Sequence, residues 1–318
     1  MNLRNIKLNG RHYIDEEQVY FYNVGSGLSF KMDGRGFTIN FKSTPIDGYF
    51  YIILDRDYNK RIKVSTKQEY KCTFERSGVH YVDIAKANES NDNVFALTKL
   101  EFDGELLEFD ESYNAVVKVF GDSTIAGFGI LAKNGPASID NSDGVRDFCY
   151  HALYDLGMEM DILAASGYGL AFSAYTNPKT VGIFDYLDKV AVNQQIVWKD
   201  HTKTNLLIIS LGCNDNSFIQ EDSKKEDRIG EFNIKLKHLL DIQANGDTSL
   251  RILMIYGTLK EESAYYLYEQ AYEYLKPYYP NLHLLKLNGD NSAISNHAYV
   301  EAHDLMAEEL KQAILKIL

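Results

Sequence analysis

The sequence is poor in the residues that mark disulfide-bonded, metal-binding or membrane proteins. It has three cysteines in 318 residues, Cys72, Cys149 and Cys213, an odd number without metal-ligand spacing. We expect them to be free thiols in a reducing compartment. No apolar run approaches the roughly 18 residues that a transmembrane helix needs, so no membrane span is expected.

Positive charge is also scarce. Lys and Arg number 33 against 45 Asp and Glu, which gives a net charge of −12. Nucleic-acid binding needs a basic surface and is not expected. The acidic balance suits a soluble enzyme acting on neutral or cationic small molecules, although solubility alone explains it equally well. The start, Met1–Lys7, lacks the apolar region of a signal peptide, which predicts a cytoplasmic location, or a secreted one if a leader was removed upstream.

Residues 1–112 have the pattern of an all-β domain. Leu28–Met32 and Phe37–Phe41 alternate apolar and polar residues, and Tyr49–Leu54 is a candidate for a buried strand. Further strand candidates lie at 71–74, 80–84 and 95–102. Turn signals separate the candidates: Asp33-Gly34, Asp47-Gly48, Asn59-Lys60 and Asp103-Gly104. This spacing predicts a β-sandwich of the jelly-roll type.

Residues 113–318 have the alternating pattern of an α/β domain. Predicted strands are Val116–Phe120, Met160–Ala164, Asn205–Leu211, Arg251–Tyr256 and Leu282–Leu287. Predicted helices lie around 143–156, 181–197, 226–244 and 262–276, with a last one at 299–317. Such a pattern predicts a parallel five-stranded sheet covered by helices on both faces.

A serine directly follows the first of these strands. Gly121-Asp122-Ser123 closes the strand and opens a glycine-rich loop that continues to Gly129. In open α/β sheets, ligands bind at the carboxyl ends of the strands. Ser123 is therefore a candidate nucleophile, although Gly-Asp-Ser is by itself a common turn.

Two later strands are followed by residues that can stabilise an oxyanion. Gly167, in Ala165-Ser166-Gly167, lets the backbone approach a ligand and can supply an N–H group. Asn214, after the third strand, can supply a side-chain amide. A plain turn and helix capping are the structural alternatives for these two positions.

Two histidines follow the last strand. His297 lies in a loop at the same predicted edge of the sheet and can reach Ser123 as a base. His303 is expected inside the last helix, in a packing or structural hydrogen-bonding role.

Together the four segments resemble the SGNH hydrolases, or GDSL-type esterases, whose motifs supply serine, glycine, asparagine and histidine in this order. The resemblance implies a flavodoxin-like three-layer α/β/α fold, with Ser123 as nucleophile and His297 as base. It also implies an oxyanion hole made by the Ser123 and Gly167 N–H groups and the Asn214 amide. A jelly-roll before such a domain looks like the carbohydrate esterase family 2 enzymes, which remove acetyl groups from polysaccharides. The segments that support this likeness are Val82–Ser90, Gly121–Gly129 and Ser166–Leu170.

One position departs from the SGNH pattern. The aspartate that commonly stands three residues before the histidine is replaced by Ile294. Some family 2 esterases also lack it and work as a Ser-His dyad, with a backbone carbonyl orienting the imidazole. Asp290 is close in sequence and is a possible substitute acid. Asp122 and Asp215 are expected to organise backbone N–H groups instead.

The resemblance implies deacetylation of acetylated xylan- or mannan-type carbohydrate through an acetyl-enzyme, without a metal or other cofactor. Tyr168, Phe128 and Trp198 are the aromatic residues expected near the substrate, and a core or interdomain position is the alternative for Trp198. Two other functions stay open. One is a general GDSL-type lipase or acylhydrolase on other small esters, and the other is a carbohydrate-binding protein with weak or lost esterase activity. The β domain is expected to wall one side of the cleft.

Overall fold

In a computed structural model that describes residues 3–15, 18–64, 68–199 and 202–318, two β-sheets organise the chain. The first is antiparallel and eight-stranded, in the order β2-β3-β8-β4-β7-β5-β6, with β1 paired to β4. Its strands are β1 (Ile6–Asn9), β2 (His12–Ile14), β3 (Val19–Phe21), β4 (Gly27–Pro45), β5 (Gly48–Leu54), β6 (Asp57–Val64), β7 (Gln68–Lys86) and β8 (Asn93–Leu107).

Three strands of this sheet, β4, β7 and β8, are longer than the sequence pattern predicts. β4 and β8 run through the predicted turns at Asp33-Gly34 and Asp103-Gly104, because Gly34 pairs with Gly78 on one side and with Gly104 on the other. A Cβ atom on Gly34 would lie 2.3 Å from the Asp103 carbonyl oxygen. The row of glycines therefore permits a close approach and a shift of register where a chain reversal was predicted.

The predicted turn at Asn59-Lys60 is also wrong, since β6 continues through it. The chain reverses earlier, at Asp55 and Arg56, which both have positive φ angles. The predicted turn at Asp47-Gly48 is confirmed, since it joins β4 to β5.

The long strands fold over a single core. The rings of Phe30 and Phe37, both on β4, have centroids 5.2 Å apart. Seven residues of straight strand span about 23 Å, so β4 must bend back near the glycine row. The buried faces on either side of the bend then meet, which confirms the predicted β-sandwich.

The second sheet is parallel and has the order β10-β9-β11-β12-β13. Its strands are β9 (Val116–Gly121), β10 (Glu159–Ala164), β11 (Leu206–Ser210), β12 (Arg251–Tyr256) and β13 (Leu282–Lys286). The helices are α1 (Phe148–Asp155), α2 (Cys213–Glu221), α3 (Lys225–Ala244), α4 (Glu262–Leu275) and α5 (Val300–Ile317). In the described ranges, no helix is long and apolar enough to cross a membrane.

Successive residues of β9 point to opposite faces of this sheet. Val117 and Val119 belong to a core cluster that also holds residues of α1 and α5. Phe120 belongs to a second cluster, shared with α3 and α4. The predicted three-layer α/β/α fold is thereby confirmed.

One predicted helix is wrong. The segment 181–197 contains a single 3₁₀ turn, Ile183–Tyr186. Two carbonyl oxygens that follow this turn accept hydrogen bonds from the buried Arg11 side chain. Arg11 Nη1 donates to the oxygens of Leu187 at 3.1 Å and Lys189 at 2.7 Å. A donor from the other end of the chain thus satisfies the backbone without a helix.

The predicted domain limits at residues 112 and 113 stay a prediction. The first sheet ends at Leu107 and the second begins at Val116, so the limits fall between the sheets. A buried pair joins the two parts, with Arg11 Nε 2.9 Å from Asp161 Oδ1.

Candidate active site

Ser123 and His297 meet at the carboxyl edge of the parallel sheet. Ser123 follows β9 and His297 follows β13, yet His297 Nε2 lies 2.7 Å from Ser123 Oγ. Both residues are nearly buried, at 8% and 9% exposure. The contact has the geometry in which an imidazole can take the proton of a serine hydroxyl.

A backbone carbonyl orients the imidazole. The second ring nitrogen of His297, Nδ1, lies 3.1 Å from the carbonyl oxygen of Ser295. That acceptor places a hydrogen on Nδ1 and leaves Nε2 free to receive the Ser123 proton. Ser295 and Asn296 have φ angles of 54° and 61°, a left-handed conformation that turns this carbonyl back toward the ring.

The prediction that Asp290 substitutes for the missing acid is wrong. Its Oδ1 accepts the Ser292 N–H at 3.1 Å and the Ser292 hydroxyl at 2.8 Å, within its own turn. Asp290 Oδ1 therefore stabilises its own turn, and the acceptor beside His297 Nδ1 is the Ser295 carbonyl oxygen.

Burial lowers the pKa of His297 below its usual value of 6.5, although its backbone hydrogen bonds oppose the shift. A lowered pKa favours the neutral imidazole, which is the form that accepts a proton. The electrostatic surroundings of His297 therefore suit a base at neutral pH.

Gly167 has a left-handed backbone conformation that favours glycine. Its φ angle of 82° is one that residues with a Cβ rarely adopt. It lies beside the same cavity as Ser123, and its carbonyl accepts the Ala174 N–H at 3.0 Å. In the described part of the chain, the N–H groups of Ser123 and Gly167 have no acceptor, which leaves both able to donate to a ligand.

Asn214 also lines the cavity, in the first turn of α2. Its Nδ2 donates to the Tyr168 carbonyl oxygen at 3.0 Å. An amide nitrogen carries two hydrogens, so this bond fixes the plane of the amide and leaves the other hydrogen for a ligand. The alternative that Asn214 caps the helix is wrong, since Gly212 holds the N-cap position.

The two other carboxylates of the motifs organise the backbone, as predicted. Asp122 accepts the N–H and the hydroxyl of Thr124, both at 2.9 Å. Asp215 accepts three consecutive N–H groups, from Leu170, Ala171 and Phe172, at 2.7 to 2.9 Å. Burial raises the pKa of each to about 6, against the lowering effect of these hydrogen bonds.

His303 has the structural role predicted for it. Its Nδ1 accepts the Phe148 N–H at 3.1 Å and so ties α5 to the start of α1. Burial lowers its pKa to about 3, which keeps the ring neutral.

The cavity holding these groups has a volume of about 600 Å³. Of the three predicted aromatic residues, only Phe128 lines it, with its ring 5.1 Å from that of His297. Tyr168 is 4% exposed and packs beneath the loop. Trp198 packs edge-on against His12, at 5.0 Å, which confirms the interdomain alternative for it.

Sequence reasoning missed Tyr175. Its side chain is 89% exposed, lines the cavity and lies beside Gly167. No local pattern marks it, because the loop after β10 acquires its shape from distant contacts. The cavity wall is completed by residues of the loops after β12 and β13, including Lys260, Glu261 and Asn291.

The expectation that the β domain walls the cleft is wrong. All cavity-lining residues that the structure describes come from the part after residue 113. The β domain touches the wall from behind, where Glu89 accepts the Ser166 N–H at 2.7 Å. Within the described ranges, no cluster of three or more His, Cys, Asp or Glu residues could hold a metal ion, and the three cysteines are free.

Known proteins share this architecture in part or over nearly its whole length. Residues 8–109 match the family model of the carbohydrate esterase 2 N-terminal domain. No curated protein matches the chain.

Solved structures match over nearly the whole chain. A family two carbohydrate esterase from Clostridium thermocellum, in complex with cellohexaose, is 19% identical, with a TM-score of 0.87 over 98% of this chain and 100% of that one. One from Cellvibrio japonicus is 19% identical, with a TM-score of 0.84 over 98% and 95%. An acetyl xylan esterase from Butyrivibrio proteoclasticus is 13% identical, with a TM-score of 0.86 over 99% and 96%. The resemblance read from the motifs is thereby confirmed at the level of the fold: the chain has the two-part fold of these carbohydrate esterases, and residues 8–109 match the N-terminal domain of carbohydrate esterase 2.

Proposed function

We propose that this protein is a serine esterase that removes acetyl groups from acetylated carbohydrate through an acetyl-enzyme on Ser123. The observation that carries the proposal is the 2.7 Å contact between His297 Nε2 and Ser123 Oγ in the wall of an open cavity. The likeness to carbohydrate esterases supports the reaction class.

In the proposed reaction, His297 Nε2 takes the hydroxyl proton as Ser123 Oγ attacks the acetyl carbonyl carbon. The carbonyl π electrons move to its oxygen, and the N–H groups of Ser123 and Gly167 and the amide of Asn214 stabilise that oxyanion. When the intermediate collapses, the bond to the sugar oxygen breaks and His297 returns the proton to the leaving hydroxyl.

Deacylation repeats these steps with water. His297 removes a proton from the water as its oxygen attacks the acetyl-enzyme, and the proton then passes to Ser123 as acetate leaves. Every proton transfer uses Nε2, because Nδ1 remains bonded to the Ser295 carbonyl.

The cavity wall supports a sugar as the leaving group. Tyr175 and Phe128 offer aromatic rings, and Asn291 and Glu261 offer polar groups of the kind that sugar hydroxyls bind. The proposed substrate is an acetylated xylan- or mannan-type oligo- or polysaccharide.

The test measures acetate released from acetylated xylo- and manno-oligosaccharides, with p-nitrophenyl esters of increasing chain length in parallel. We expect acetyl esters to be preferred and Ser123→Ala to lose nearly all turnover. Near-full activity in Ser123→Ala would exclude the scheme. A preference for long acyl chains would favour a general lipase or acylhydrolase, and glycan binding without turnover would favour a carbohydrate-binding protein.

A further inference from the structure

A connection in the β domain reaches the oxyanion loop from outside the cavity. We call residues 86–93, which lead from β7 to β8, the linking segment. Within it, Glu89 is 6% exposed, and its Oε2 accepts the Ser166 N–H at 2.7 Å. Ser166 directly precedes Gly167, so a carboxylate of one domain holds the peptide next to the proposed oxyanion donor of the other.

Hydrogen bonds from both domains fix the backbone of the linking segment. The Lys86 ammonium is buried and donates to the carbonyl oxygens of Asn88 and Glu89, the latter at 3.1 Å. The Gly144 N–H, from the catalytic half, donates to the Ala87 carbonyl at 2.8 Å. Glu89 is therefore presented by a fixed backbone that is tied to both domains.

A second connection leads from the other neighbour of Gly167 to the same segment. The Tyr168 hydroxyl donates to Asn193 Oδ1 at 2.9 Å, and Asn193 Nδ2 lies 3.4 Å from Asn91 Oδ1. The Tyr168 carbonyl is the group that fixes Asn214. Both residues flanking Gly167 are thus bonded into a network that starts in the β domain.

The carboxylate of Glu89 is a costly group to place there. Burial and the nearby Asp92 raise its pKa to about 7, against the lowering effects of Ser166 and Lys86. Burial also lowers the pKa of Lys86 to about 7. An apolar side chain would fill the interface without this penalty, but it would leave the Ser166 N–H without an acceptor.

We propose that Glu89 is a positioning residue for the esterase reaction, because its hydrogen bond to Ser166 directs the Gly167 N–H toward the oxyanion. The inference rests on the proposed function of the site. The oxyanion exists only after attack has begun, so a misdirected donor lowers kcat and leaves KM unchanged. A misplacement of about 1 Å can cost on the order of 100-fold in rate.

The experiment compares Glu89→Ala with Glu89→Gln in the full-length protein, using p-nitrophenyl acetate. Gln keeps an oxygen acceptor for the Ser166 N–H, whereas Ala removes it. We expect Glu89→Ala to lower kcat by about 10- to 100-fold, with KM within about twofold, and Glu89→Gln to restore most of the loss. Tyr168→Phe deletes the hydroxyl of the second connection while keeping the ring, and it should lower kcat several-fold even if Glu89→Ala fails to fold.

Asp83→Ala is the matched control, since Asp83 is also an interdomain carboxylate and accepts the Tyr154 hydroxyl at 2.6 Å, away from the cavity. It should lower the melting temperature and leave kcat unchanged. An unchanged kcat in Glu89→Ala, an equal loss in Glu89→Gln, or an unchanged kcat in Tyr168→Phe would each overturn the inference. Activity of the wild type that disappears in Ser123→Ala keeps the proposed function intact in all these cases. An inactive wild type removes both.

Discussion

Replacing Asn214 by alanine separates the chemical role of this side chain from its structural one. The Asn214 residue is 9% exposed and donates one amide hydrogen to the Tyr168 carbonyl at 3.0 Å, which leaves the other for the proposed oxyanion. Loss of one oxyanion donor costs about 3 kcal/mol in the transition state, which corresponds to roughly 150-fold in kcat.

Asn214→Ala also leaves the Tyr168 carbonyl without this donor. An unsatisfied buried acceptor costs about 1–3 kcal/mol of folding stability. For a domain of this size, each kcal/mol lowers the melting temperature by roughly 2–4 °C. The variant should therefore show two effects, a large fall in kcat at nearly constant KM and a moderate fall in melting temperature.

The assay is steady-state hydrolysis of p-nitrophenyl acetate, with thermal unfolding measured on the same samples. Asn281→Ala is the matched control, because Asn281 Nδ2 makes the same kind of bond, to the Thr248 carbonyl at 2.8 Å, before the start of β13. It should affect only stability. If kcat of Asn214→Ala stays within about threefold of wild type while the melting temperature falls, Asn214 is structural and the three-donor oxyanion hole is refuted.

Three further predictions follow from the same geometry. Burial lowers the pKa of His297, and only the neutral ring accepts a proton. We therefore expect kcat/KM to rise with pH through an apparent pKa below 6.5 and then to level off. A midpoint above 6.5 would contradict the burial argument. Asp290→Ala should keep kcat within about twofold, measured on p-nitrophenyl acetate, because the Ser295 carbonyl orients the ring, and a large loss would restore a carboxylate as the third member. Tyr175→Ala should raise the KM for acetylated oligosaccharides several-fold and leave the KM for p-nitrophenyl acetate unchanged. Trp198→Ala is the control and should change neither value. A raised KM for oligosaccharides in Trp198→Ala but not in Tyr175→Ala would show that the sugar binds elsewhere.

Local sequence patterns were sufficient for the parallel sheet. Each of its strands is an apolar run followed by a turn, and the observed bounds differ from the predicted ones by at most one residue. The same patterns failed in the β domain at Gly34, because a glycine that pairs with two other glycines across neighbouring strands has the same local signature as a turn. They failed at 181–197 because the partner of that backbone, Arg11, lies far away in sequence.

The candidate site divides in the same way. Ser123, Gly167, Asn214 and His297 could be predicted from the sequence, since parallel strands bring their carboxyl ends to one edge and each residue comes after the end of its strand. The groups that surround these four residues become visible only once the chain is folded. The Ser295 carbonyl replaces an aspartate through two left-handed residues, and Glu89 supports the oxyanion loop across the domain interface. Such contacts depend on how loops and domains pack, and periodicity and motif spacing carry no information about partners that are distant along the chain.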